Sequence, residues 1–148
     1  MAMSIEQLAE HIDTTLAEIH QLTAKQLQQA TIESTAKRIT LNFRNSAFYR
    51  NRAGIQPVEI RLERISKQSP WEIRFIATFD YPDHQASALD VALYFNFRHR
   101  WFYQPDIERC ELHRPEVAAL FHSWQQAFLR HLSQGRFDSI ALSTASHF

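Results

Sequence analysis

PVEIRLERISKQSPWEIRFIATFDY, residues 57–81, reads as two long strands joined by a polar turn at Ser66–Pro70. Val58, Ile60 and Leu62 alternate with Glu59, Arg61 and Glu63; Trp71, Ile73, Phe75, Ala77 and Phe79 alternate with Glu72, Arg74, Ile76 and Thr78. Successive strand side chains point to opposite faces, so a period of two predicts an antiparallel pair, one face on a core and the other charged. The first-named set of each strand is expected on the buried face.

Similar alternation flanks this pair. Ile39, Leu41 and Phe43 precede it, opposite Arg38, Thr40, Asn42 and Arg44; Leu89, Val91, Leu93, Phe95 and Phe97 follow it, opposite Asp90, Ala92, Tyr94, Asn96 and Arg98. Trp101–Tyr103 and Ile107–Leu112 add short strands, and Phe137, Ile140 and Leu142 mark a last one. The loop Asn45–Gln56 holds Gly54, which suits a positive-φ turn. Helices bound the sheet. Ser4 and Gln7 have capping-box spacing, and Ile5, Leu8, Ile12, Leu16 and Ile19 fall on one helical stripe. Thr23 and Gln26 repeat that spacing, which predicts a second helix or a kinked continuation through Leu27, Ala30 and Ile32. Pro115 suits a first helical turn; Val117, Leu120, Phe121, Trp124, Phe128 and Leu132 then form a bulky stripe, and Gly135 is placed to end it.

Strands in the middle and helices at both ends imply an α+β fold, a mostly antiparallel sheet of about five to six strands with the N-terminal and C-terminal helices packed on one face. Long βαβ crossovers are missing, which argues against a doubly wound fold. One domain is expected over residues 1–148: a helical N-terminal segment (1–35), a sheet with its core helix (36–142) and a polar tail (143–148) that frays.

The formal net charge is zero, which argues against a generic polyanion binder and still permits a local basic patch. Residues 1–33 carry five acids against Lys25, the pattern of a solvated helix face, whereas residues 34–58 carry five bases and one group of aromatics, Phe48 and Tyr49, among them. The lone Cys110 rules out an intramolecular disulfide and fits a reducing compartment. No basic-then-apolar leader and no apolar run of about 18 residues is present, so a cytoplasmic protein with no membrane partner is expected. Two glycines, Gly54 and Gly135, are too few for a dinucleotide fingerprint or a P-loop. Cys110/His113 and Asp80/Asp83/His84 are each at best half a metal site, so neither a metal nor a cofactor is expected.

The polar face of the sheet is the candidate site. It would gather Asn42, Arg44, Glu59, Arg61, Arg74, Tyr94, Asn96 and Arg98, together with Glu63 and Glu72. As a solvated face it would hold cross-strand Arg–Glu pairs worth at most about 1 kcal/mol each. As a shallow groove it would present guanidinium groups to a carboxylate, a phosphate or a partner's acidic residues. Thirteen of the sixteen basic residues are Arg, the better residue for planar bidentate contacts. The leading expectation is therefore a non-enzymatic binding module that contacts a protein or a small anionic ligand.

An alternative rests on an echo, LNFR at Leu41–Arg44 and FNFR at Phe95–Arg98, each followed by an Arg/aromatic loop. Tyr49, Arg50 and Arg52 in one loop, and Arg100 and Trp101 in the other, could stack and neutralise single-stranded nucleic acid. A small hydrolase or transferase using Asp80, Asp83 or His84 ranks last, since no catalytic constellation is recognisable. An open sheet edge would also permit pairing with a second copy as a homodimer.

Asn42-Phe43-Arg44, followed by Gly54-Ile55-Gln56-Pro57-Val58-Glu59-Ile60-Arg61-Leu62, resembles an uncharacterised bacterial family, the domain-of-unknown-function family catalogued as 2787. Trp71–Tyr81, Asp90–Phe97 and the helix around Trp124 and Phe128, followed by Phe137-Asp138, are similar to its later blocks. The resemblance runs from Arg38 to Leu142 and includes the N-terminal helical segment less clearly. Ala77-Thr78 stands where a more acidic strand end is usual, and Asn96 where Asp is, which weakens any claim for an acidic site. The resemblance implies a small soluble protein of gammaproteobacteria, often associated with mobile genetic elements, and it implies no activity.

Overall fold

Ser4 starts the first helix as its spacing with Gln7 predicts: the Ser4 hydroxyl accepts from Gln7 N–H at 3.1 Å and the Gln7 side chain accepts from Ser4 N–H at 2.8 Å. The computed structural model describes residues 3–148. In it α1 runs unbroken over Ile5–Gln29. Of the two readings at Thr23, a second helix or a continuation, the helix continues. The Thr23 hydroxyl instead donates to the carbonyl of His20 within the same helix, so it satisfies no free helix start. Leu8, Ile12 and Ile19 are buried, whereas Ile5, the first residue of the helix, stays 65% exposed.

The remaining elements are β1 (Ala36–Arg44), α2 (Ser46–Asn51), β2 (Val58–Glu63), β3 (Glu72–Asp80), β4 (Asp90–Asn96), β5 (Trp101–Gln104), β6 (Glu108–Glu111), α3 (Pro115–Ser133) and β7 (Ser139–His147). All strand pairs are antiparallel, in the order β6-β5-β4-β3-β2-β1-β7. The sheet thus has seven strands rather than five or six. α1 and α3 cover one face. Phe121 and Phe128 of α3, with Ile12 and Ile19 of α1, pack onto Ile39, Leu41, Phe43, Ile60 and Phe95 of the sheet. Burying each such side chain contributes about 1.5–3 kcal/mol. Phe43 meets Phe128 edge to face at 5.1 Å, and Phe95 lies 5.0 Å from Phe121, which fixes how α3 sits across the strands. α3 ends as expected, with Gly135 at φ 67°.

Three further readings of the sequence need correction. Residues 143–148 do not fray. β7 runs along the whole of β1, from Arg44 opposite Ser139 to Ala36 opposite His147, and Phe148 N–H donates to Thr35 at 2.9 Å. Its run of small polar residues carries no hydrophobic alternation, so the backbone ladder offered by β1 is what holds it.

The loop at 45–56 contains a helical turn, α2. Its N-cap Asn45 accepts from Ala47 N–H at 2.9 Å, and the carboxylate of Asp138 accepts from Ser46 N–H at 3.1 Å.

The apolar face of β3 is the third correction. A bulge at Arg74 shifts the register between Arg61 and Leu62, so that Arg61 faces Phe75 while Leu62 faces Ile73. Ile73 stays in the core, but Ile76 and Thr78, expected outside, are buried beside Ile60 and Val58; Phe75, Ala77 and Phe79 join the face away from the helices. One inserted residue flips every side chain beyond it. A second bulge opposite Thr78/Phe79 does the same to Val91, which pairs with Phe79 and not with the core.

Candidate anion-binding site

Registers across β1, β2 and β3 set Arg38 opposite Glu63 and Glu63 opposite Glu72 on the open face. Glu63 is 8% exposed and is the centre of a charge cluster. It accepts from Arg38 Nε at 3.0 Å and from Arg98 Nη1 at 3.4 Å, and Arg74 Nε lies 3.8 Å away. Arg74 also reaches Glu72 at 3.1 Å. Arg61 donates to the buried Thr40 hydroxyl at 3.0 Å and lies 5.3 Å over the Phe75 ring. Asn96 is buried and accepts from His99 N–H at 2.8 Å, which fixes the turn that carries Arg98.

These side chains enclose a hollow of ≈ 170 Å³ lined by Arg38, Arg61, Glu63, Arg74, Asn96 and Arg98, with Phe75 and His99 at its margin. Three guanidinium groups, Arg38, Arg74 and Arg98, face Glu63, with Arg61 beside them, and Arg74 also pairs with the half-exposed Glu72. Burial pushes the Glu63 carboxyl up, but the Arg38 hydrogen bond and the charges of Arg38, Arg74 and Arg98 outweigh it and hold the group below the usual glutamate range. The cluster therefore keeps Glu63 ionised and still carries a positive excess. Arg74 Nε is buried and has no hydrogen-bond partner among the described residues. Its nearest counter-charge is the Glu63 carboxylate, 3.8 Å away.

The residues expected on this face are divided among three places. Arg61, Arg74, Asn96 and Arg98 meet in the hollow. Asn42, Arg44 and Glu59 line a separate hollow of ≈ 290 Å³ with Tyr49 and Phe79. Tyr94 lies toward β5, stacked on Trp101 at 5.0 Å, and burial raises its hydroxyl above the usual tyrosine range. Glu63, expected on this face, is at its centre, and Arg38, which lies outside the expected set, completes the cluster. Their signal was present, since Arg38 and Glu63 fall on the polar side of their strands; what was missing was the register that puts them opposite one another.

The residues of the two Arg/aromatic loops are dispersed. Tyr49 sits at the hollow beside Arg44, and Arg50 is 3.5 Å from the Ser46 hydroxyl. Arg52 stacks on Tyr81 at 4.1 Å. Arg100 reaches Asp13 of α1 at 3.4 Å, on the helix side of the sheet, while Trp101 faces the open side. Asp80, Asp83 and His84 do not converge. Asp80 accepts from Gln56 at 3.1 Å, Asp83 caps its own turn through Gln85 N–H, and His84 is exposed. A wider hollow, ≈ 510 Å³, lies at Asp80, Asp90 and Asp106. Among the described residues no three His, Cys, Asp or Glu side chains gather as a metal site, and no helix is long and apolar enough to cross a membrane.

Two solved structures share this architecture. A hypothetical protein from the VSP-II pathogenicity island of Vibrio cholerae superposes with a TM-score of 0.76 at 24% identity, over 86% of this chain and 90% of its own. A conserved hypothetical protein from pathogenicity island VPI-2 of Vibrio cholerae, described as sharing structural homology with the human P32 protein, gives 0.71 at 27% identity over 84% and 90%. No curated protein matches the chain. These neighbours carry no assigned activity, and no specific function is indicated by them. A family model described as "Protein of unknown function (DUF2787)" matches residues 8–143, so the match takes in α1 as well as the sheet, and the chain belongs to that family.

Proposed function

We propose that the protein is a non-enzymatic binding module whose open sheet face recognises an anionic ligand or the acidic groups of a partner protein. The observation that carries this reading is the excess of guanidinium groups around one buried carboxylate, with Arg38, Arg74 and Arg98 all sharing Glu63. Glu63 spaces the arginines against their mutual repulsion and preorganises them; the surplus charge is available to a ligand. The free, half-buried Cys110 supports a reducing, cytoplasmic setting. The two pathogenicity-island neighbours support a place on mobile genetic elements.

Pyrophosphate, titrated calorimetrically at low ionic strength, is the probe. Arg98 is half exposed, so Arg98→Ala is expected to weaken binding about tenfold, the loss of one charge-assisted hydrogen bond of roughly 1.5 kcal/mol, while the melting temperature stays within about 2 °C. Unchanged affinity in both Arg98→Ala and Arg38→Ala, or no binding to the wild type, would overturn the reading.

A further inference from the structure

We infer that the open face is a platform for single-stranded nucleic acid, with phosphates on the arginine cluster and bases on an aromatic row beside it. The inference rests on the anion-binding reading above and names the ligand class. Phe75, Tyr94 and Trp101 come from three successive strands, β3, β4 and β5. Their rings form a continuous row, Phe75 to Tyr94 at 5.0 Å and 30°, Tyr94 to Trp101 at 5.0 Å and 26°. The row lies on the face away from α1 and α3, and all three rings are partly exposed. Large aromatics there are not needed to seal a core, which is complete on the opposite face with Phe95, Phe102 and Phe121 fully buried.

Guanidinium groups stand at both ends of the row: Arg61 over Phe75 at 5.3 Å and Arg109 over Trp101 at 4.4 Å. A hollow of ≈ 290 Å³, bordered by Asp90, Val91, Tyr94, Trp101, Tyr103 and Arg109, lies along it, with Asp90 its one acid. The bulge at Arg74 connects the two halves. It places consecutive residues on the open face, Arg74 toward Glu63 and Phe75 toward Tyr94, so that Phe75 borders the anion hollow and begins the aromatic row. Alternating phosphate and base is the chemistry that uses both adjoining surfaces. A base that takes the place of Arg109 on the outer face of Trp101 extends the row by one ring, a contact tolerant of base identity, and arginine neutralises the backbone. An acidic peptide would use the arginines and leave the rings idle. The platform is thus on the strands, and of the loop residues considered above only Trp101 belongs to it.

The test uses the full chain and a labelled oligothymidylate of about ten nucleotides, followed by fluorescence anisotropy, with polyglutamate of equal length as the comparison and pyrophosphate as the probe of the arginine site alone. Oligothymidylate is expected to bind tighter than polyglutamate and to weaken about tenfold between roughly 50 and 200 mM salt. Trp101→Leu keeps an apolar side chain over Tyr94 and removes the π face; it is expected to weaken oligothymidylate roughly tenfold and leave pyrophosphate unchanged. Should that variant melt early, wild-type tryptophan fluorescence decides instead: quenching by oligothymidylate and not by polyglutamate supports the platform, and equal or no quenching overturns it. Polyglutamate binding as tight as oligothymidylate, or no effect of Trp101→Leu and Tyr94→Leu, overturns the platform while the anion site stands. Failure of pyrophosphate and oligothymidylate together removes both.

Discussion

Glu63 is the residue on which the open face turns. Its carboxyl is held below the ordinary range in the folded protein and regains its ordinary value when the chain unfolds. A depressed folded value contributes stability that is present above the unfolded pKa and is lost as pH falls through the folded one. Thermal stability of the wild type is therefore expected to decline as pH drops below about 4.5, the ordinary value, with Glu63 contributing to the slope. Glu63→Gln leaves Arg38, Arg74 and Arg98 facing one another without their shared counter-charge. It is expected to cost about 2–4 kcal/mol at neutral pH and to flatten that acid slope, checked by urea unfolding at several pH values. An unchanged slope would place the acid sensitivity elsewhere.

At the scale of elements, hydrophobic alternation located β1, β2 and β4 and the helical stripe of α3, because each of these buries one face and the burial period is written into residue type. β3 was located and misread. Alternation carries a strand's position, but the bulge at Arg74 is set by pairing with β2, as the one at Ala92 of β4 is by pairing with β3, and nothing in either strand alone announces it. β7 was half seen. Ile140 and Leu142 alternate with polar neighbours, while Ser143–His147 have no apolar face to show, since they pair at the edge with β1. Deleting residues 143–148 removes the pairings of Ser143, Thr144, Ser146 and His147 with β1. At about 0.5–1.5 kcal/mol for each net hydrogen bond, the truncated chain is expected to lose about 2–4 kcal/mol in urea unfolding. A chain equally stable without them would mean that β7 is held only by its first half.

The whole molecule is a seven-stranded sheet with unequal edges. β6 is four residues long and bears Glu108, Arg109 and Glu111, the short charged edge that resists pairing. β7 is nine residues long, SIALSTASH, without Asp, Glu, Lys or Arg. An edge of that kind invites a second strand, and concentration-dependent self-association through β7 is expected in light scattering. Ser143→Lys should abolish it while leaving the melting temperature within about 2 °C; association that persists in that variant would exclude this edge.

By itself the chain's sequence determined the α+β class, the helix starts at Ser4 and Pro115 and the arginine-rich character of one sheet face, since period, capping and composition are local properties. It also held the resemblance from Arg38 to Leu142, which the family match extends to residues 8–143. Only the tertiary structure decided which arginines meet at Glu63, that Phe75 joins Tyr94 and Trp101 in a row, and that residues 143–147 form a strand. Each of these depends on register between strands distant in sequence, and register is a property of the pairing rather than of either strand alone.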